Sequence, residues 1–355
     1  MIGEYENFSY STTKQNGNNK IVKFYDFLLS DTKKQVPFVK KKEYYLNDFL
    51  NSKNDKPAVI YFFNHKDIST EVWYKDGVIH RDGDKPAKIK YFGDKTINSY
   101  SFYKDGILDR DKGPALVNYY ANGNVECRKY YKNGELYRED GPAEEYYYTN
   151  GKLESRSYYI DGKFHREDGP AFVEFDAKGN IYSEQYMING ESHREEDEPS
   201  TIYYFSDGTI SGVFYCKNNK LHRENGPAVI QYFEDGQIKS EEYFLNGEYF
   251  ESDRPSKIEY YSNGNVYLEI YKNFTNKQGK ITKRFRYSNG NMKREEYQYE
   301  CNDKMLDNFH RLDGPAIIDY DMNGKVINEE YFINGKQYDE LSYYVKINSS
   351  KLLKN

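Results

Sequence analysis

Along this chain, hydrophobic and polar residues alternate in short runs, as in "PAKIKYF" and "PSKIEYY". A period of two marks a half-buried strand. Most runs end at an Asn-Gly or Asp-Gly pair, as at Asn122-Gly123, Asn150-Gly151 and Asp235-Gly236. These pairs accept positive φ and are the strongest short-range hairpin signal. A second run follows and ends in an aromatic pair, and then comes a second turn, as at Asn133-Gly134 and Asp161-Gly162. Helical periodicity is nearly absent.

The hairpins recur at a fixed interval. Nine prolines, Pro57, Pro86, Pro114, Pro142, Pro170, Pro199, Pro227, Pro255 and Pro315, are spaced by 28 or 29 residues apart from one final gap of 60. That gap holds a degenerate copy starting near Ile281. Each copy reads roughly P-A-x-I-x-Y-Y-x-N-G-x-I-x-x-x-x-Y-Y-x-N-G-x-L-H-R-x-D-G, seen well in Pro114 to Gly141. A fixed period of this length is the signature of a repeat architecture. The reading is an all-β, elongated, antiparallel meander of about ten units. A divergent N-terminal cap spans 1–43, repeats span 44–342 with an irregular stretch at 272–310, and a C-terminal cap spans 343–355.

Identical units in a meander stack by translation only if each adds an even number of strands. Two main strands per unit are therefore expected, with the "G-x-L-H-R-x-D-G" segment as a return loop. One question stays open. The apolar residue two positions past the first turn glycine (Ile97, Val125, Leu153) lies five residues before an aromatic (Phe102, Tyr130, Tyr158). An odd spacing puts them on opposite faces, so either both faces carry apolar rows or a β-bulge shifts the parity.

Composition narrows the function classes. The 40 Tyr and 21 Phe among 355 residues suit a thin structure, because a tyrosine buries its ring while its hydroxyl stays wet or finds a partner. The net charge of −6 argues against a sequence-independent grip on nucleic acid, and the basic run Lys33 to Lys42 reads as a solvated face. Cys127, Cys216 and Cys301 lie far apart, so neither a disulfide framework nor a zinc site is expected, and reduced thiols fit a cytoplasmic compartment. The N-terminal residues lack a signal-peptide pattern, and no apolar run is long enough for a membrane span.

Candidate chemistry gathers at one repeat position, filled by His80-Arg81, His165-Arg166, His193-Arg194, His222-Arg223 and His310-Arg311. Elsewhere the slot reads Asp109-Arg110, Tyr137-Arg138 or Phe250-Glu251. A catalytic histidine is one residue with one specific partner, whereas this one sits in a periodic slot. Its expected role is structural, bonding turn carbonyls and the following Asp-Gly. The functional alternative is a cationic ladder that binds an extended acidic partner. Repeated tyrosines have two readings as well, cross-strand packing or an exposed groove. No catalytic, cofactor or metal motif stands apart from the repeat.

The "YYxNG" hairpin resembles the MORN repeat in its shorter variant form. The longer signature in "DGKFHREDGPA" and "NNKLHRENGPA" resembles repeat proteins of giant DNA viruses of amoebae. The resemblance implies a scaffold or contact module, and some bacterial variants are antitoxins. The expected function is a non-enzymatic scaffold or protein-interaction surface, as a viral or host-contact component, without a cofactor. A membrane-surface module reading acidic lipids and an antitoxin-like binder are the alternatives. Acidic balance disfavours the membrane. The insertions around Asn273 to Gly279 and Cys301 to Asp307 are the expected place for a bend or a partner loop.

Overall fold

The computed structural model describes residues 10–29, 35–195, 197–250, 254–271, 280–298 and 309–352. The chain divides into two compact units, Met1–Ile181 and Tyr182–Asn355. Both are antiparallel β-meanders, and the one helix among the described residues is Glu340–Leu352.

In the first unit, Tyr10–Asn16, Asn19–Leu29 and Gln35–Leu46 pair in chain order. The last of these runs through the expected cap boundary at residue 43 and pairs directly with the first repeat strand, Val59–Phe62. Repeat strands then alternate four and five residues in length: Val59–Phe62, Ile68–Val72, Lys88–Tyr91, Ile97–Ser101, Leu116–Tyr119, Val125–Lys129 and onward to Phe172–Phe175. The second unit follows the same rule from Thr201–Tyr204 to Val266–Ile270. Two strands per repeat enter the meander, as the translation argument requires.

The return segment does more than loop. After seven of the main hairpins a second, two-residue hairpin forms among the described residues, such as Tyr74–Lys75 with Val78–Ile79 and Tyr131–Lys132 with Glu135–Leu136. Both of its turn residues take positive φ, as at Asp76 (47°) and Gly77 (82°), which is why Asn-Gly or Asp-Gly is repeated there. These small hairpins join from one repeat to the next, because Gly106 N–H donates to Ile79 and Gly134 N–H to Leu108.

A bulge settles the parity question. The register shifts by one residue at Asn118/Tyr119, so Val125 pairs with Tyr119 while Cys127 pairs with Asn118, and Glu126 is the extra residue. The same shift recurs at Tyr61/Phe62 and Tyr146/Tyr147 in the first unit, and at Tyr203/Tyr204, Gln231/Tyr232 and Asp319/Tyr320 in the second. With one residue inserted, the apolar residue past the turn and the aromatic five positions later return to one face.

The Ala after each proline explains itself by burial. Ala58, Ala87, Ala115, Ala143, Ala171, Ala228 and Ala316 are all 0 % exposed. Ala143 donates its N–H to Ser157 and accepts from Tyr130, each at 2.8 Å, so the ladder closes on it from both sides. A larger side chain at such a packed site would force neighbours apart. Where the residue is Ser200, Ser256 or Thr282, its hydroxyl donates to Phe214, Ile270 or Glu296 carbonyls, so no polar group is stranded.

The degenerate copy keeps this frame. Thr282 fills the small slot, and Lys280–Arg286 and Met292–Gln298 are longer than the four- and five-residue strands of the preceding repeats. Arg284, at a position that is apolar in most copies, donates to Glu295 and to the Tyr271 hydroxyl. The two insertions named above lie outside the described residues. At the C-terminus the helix, not anticipated from periodicity, packs Tyr343 and Ile347 against Tyr331.

Candidate functional site

The histidine–arginine slot lies just after the second hairpin. Its backbone is fixed first: the N–H of each slot residue donates to the aromatic that ends the main hairpin, as His165 does to Tyr158 and His222 to Tyr215. The side chains then reach the neighbouring repeat. Nδ1 of His80, His222 and His310 accepts the turn N–H of Asp105, Asn246 and Asn334, at 3.0–3.1 Å. An acceptor at Nδ1 leaves the proton of a neutral ring on Nε2. Nε2 of His80 and of His193 lies beside the carboxylate two residues on, Asp82 at 3.1 Å and Glu195 at 2.8 Å. Asp109 shows what the slot requires, because its carboxylate accepts the corresponding N–H, from Asn133, at 2.7 Å. Among His80, Asp109, His222 and His310 the shared feature is an acceptor, not an imidazole.

The arginine next in sequence turns the other way and lies flat on the aromatic of its own repeat. Guanidinium-to-ring distances are 3.8 Å for Arg81 on Trp73, 4.1 Å for Arg166 on Tyr158 and 3.9 Å for Arg194 on Tyr186. They are 3.7 Å for Arg223 on Tyr215 and 3.9 Å for Arg311 on Tyr297. The planar cation matches the ring face. Nη1 donates to the carbonyl of the coming proline, as Arg81 does to Pro86 and Arg311 to Pro315. The Asp-Gly glycine underlies the same group: a Cβ on Gly141 would sit 2.9 Å from Arg138 Cζ. The recurring Arg, Gly and Ala of "H-R-x-D-G-P-A" within this one chain thus have a ring, a close approach and a buried slot that explain them.

Nε of six of these arginines meets a carboxylate by one of two routes. Arg138, Arg166 and Arg311 take the acid two residues on, Asp140, Asp168 and Asp313. In Arg81, Arg110 and Arg223 that position is Gly83, Lys112 or Asn225. These three reach back to the preceding loop and grip Asp55, Asp84 and Asp197 in bidentate fashion at 2.7–3.0 Å. The arginine bonds hold all three carboxyls below the usual carboxylate range. Loss of the local acid is compensated one repeat earlier, which ties consecutive loops together.

Two further ladders are not evident from the sequence. Asn122 and Asn124 both donate to Thr149 O, Asn263 and Asn265 to Ser288 O, and Asn289 and Asn291 to Met322 O. The tyrosine before each such turn donates to the next repeat, as Tyr120 does to Tyr147 O and Tyr287 to Tyr320 O. The signal is present in "Y-x-N-G-N", but its meaning depends on a neighbour 23–33 residues away.

The slot's arginines are engaged by rings, carboxylates and carbonyls of their own or an adjacent repeat, so a free cationic ladder is not what the slot presents. Small clefts lie between successive loops. Those at Arg81–Arg110, Arg110–Arg138 and Arg194–Arg223 measure about 490, 480 and 220 Å³. The cleft where Phe250 stands in the histidine slot is larger, about 680 Å³, and is lined by Pro227, Tyr243, Phe244, Phe250 and Ile258 with Arg223 and Arg254 at its rim. Among the described residues no group of three or more His, Cys, Asp or Glu is placed to hold a metal ion, and no helix is long and apolar enough to cross a membrane. No family model matches this chain, and no curated protein matches it.

Proposed function

We propose that this chain is a non-enzymatic repeat scaffold that docks a protein partner in the cleft around Tyr243, Phe244 and Phe250. The observation that carries this reading is the exchange at the slot. At His80, Asp109, His222 and His310 an acceptor followed by an arginine closes the loop onto its neighbour, whereas here the slot holds Phe250-Glu251 and the largest of the described clefts is lined by aromatic rings. Buried aromatic anchors dominate protein interfaces. The resemblance of the hairpin to the MORN repeat supports a contact role, and the net negative charge disfavours anionic lipid and nucleic acid.

The test uses the intact chain as bait in its native source, beside Phe250→Asp. Asp109 shows that an aspartate fits this slot, so the variant keeps the fold. The expected result is at least tenfold weaker recovery of one specific protein by the variant, the scale of a lost aromatic anchor. Equal recovery by both baits removes the cleft from consideration. Strong, salt-sensitive flotation of the chain with anionic vesicles overturns the reading in favour of a membrane-surface module.

A further inference from the structure

The first strand of the first unit, Tyr10–Asn16, has all seven residues exposed and pairs only with Asn19–Leu29 among the described residues. A two-residue turn at Gly17-Asn18 joins the two, with Asn16 opposite Asn19. In such a hairpin the closing pair exchanges its N–H and C=O groups, and the antiparallel ladder then uses every second residue. Tyr10, Thr12, Lys14 and Asn16 therefore bond inward. Ser11, Thr13 and Gln15 aim their backbone groups outward, where no described strand meets them. An edge of this kind is a template for another strand.

The strand's own sequence selects the occupant. We infer that a second copy of this chain pairs here, antiparallel, about a two-fold axis at Thr13. In that register Thr13 faces its own copy and Ser11 faces Gln15, so the three outward residues of each copy exchange six N–H···O bonds. Lys14 faces Thr12, so no like charges lie directly opposite, and Thr–Thr is a favourable cross-strand pair. A two-fold contact uses the same patch on both copies and closes at the dimer. The last main strand of the second unit is guarded differently: Val326–Ile333 carries Glu329 and Glu330, and its end is joined by Lys336–Tyr338 and packed by the helix. Charge and cover of that sort are how natural edges avoid pairing. The strand Tyr10–Asn16 has Lys14 alone.

The inference is tested by sedimentation velocity of the full chain from about 1 to about 100 µM, the range suited to a small interface. The expected result is a monomer that converts to a dimer and no further. Thr13→Pro removes an outward N–H that the inner ladder does not use, and an edge strand tolerates proline. It is expected to shift the midpoint at least tenfold while leaving amide protection in Asn19–Leu46 unchanged. Thr13→Cys is expected to give a disulfide-linked dimer on mild oxidation, beyond the wild-type background, whereas Lys14→Cys is not. A wild type that stays monomeric throughout, a Thr13→Pro variant that dimerises as well as wild type, or equal cross-linking at both positions would overturn it. So would growth beyond the dimer.

Discussion

Gly141→Ala tests the account of the loop most directly. Gly141 lies outside the left-handed region, so alanine is not excluded by its backbone. Its new Cβ would meet Arg138 at 2.9 Å from Cζ, 3.1 Å from Nε and 3.2 Å from Nη2. The guanidinium must then lift from Tyr130, on which it lies at 4.2 Å, and from its bond to Pro142 O. Losing a partly exposed cation–π contact costs about 0.5–1 kcal/mol, and losing a long carbonyl bond costs about 0.5–1 kcal/mol more. The ion pair to solvent-exposed Asp140 is screened and adds little. Against this, restricting the unfolded chain returns about 0.4–1 kcal/mol.

The expected net effect in wild type is neutral to about 1.6 kcal/mol destabilising. In an Arg138→Ala background the clash is gone, and the same change should stabilise by about 0.4–1 kcal/mol. A coupling of about 1–2 kcal/mol between the two sites is therefore expected, within the range for residues in contact. Hydrogen exchange at the Tyr130 and Ala143 amides reads it, because both belong to the ladder beside the loop. Identical effects of Gly141→Ala in both backgrounds would refute the packing of arginine on this glycine.

His222→Leu should lose the acceptor for Asn246 N–H at a cost of about 1 kcal/mol, while His222→Asp, which copies the arrangement at Asp109, should keep exchange at Asn246 within about twofold of wild type, a difference under about 0.5 kcal/mol. Asp84 and Asp197 have carboxyls held low by Arg110 and Arg223, so their contribution is full above the ordinary value of about 3.9 and disappears as pH falls through the lower folded value. Thermal unfolding of Asp197→Asn should accordingly depend less on pH than wild type between about pH 5 and 2, the interval spanning the loss. At the alkaline end, burial and the bond to Glu295 push the Tyr320 hydroxyl up to about 12. Its contribution is full below the ordinary value of about 10 and fades as pH rises through the folded value, so ultraviolet titration should show late-ionising tyrosines that Tyr320→Phe reduces by one. Tyr343 is fully buried, accepts from Gly314 N–H and donates to Arg311 O. Tyr343→Phe should cost about 1–3 kcal/mol by stranding both groups, read as lost amide protection at Gly314.

Sequence alone determined the repeat period, the all-β class, the positions of both turns and the count of two main strands per copy. The reason is that these are local: Asn-Gly at Asn133-Gly134 imposes its own φ values, alternation of Leu116 to Tyr119 imposes a strand, and translation symmetry imposes an even count. Tertiary structure decided the rest. Whether Val125 and Tyr130 share a face depended on one bulged residue, Glu126, whose identity carries no signal. Whether Arg223 was a free cation or a fastener depended on Asp197 in the preceding loop, 26 residues away. Asn124 reads as a turn residue until its amide meets Thr149 O in the next copy. The helix Glu340–Leu352 exists because Tyr343 closes on Tyr331 at 5.0 Å at the end of the last repeat. Bonds that join one copy to the next are formed between residues whose own neighbours in sequence do not encode them, and only folding brings them within reach.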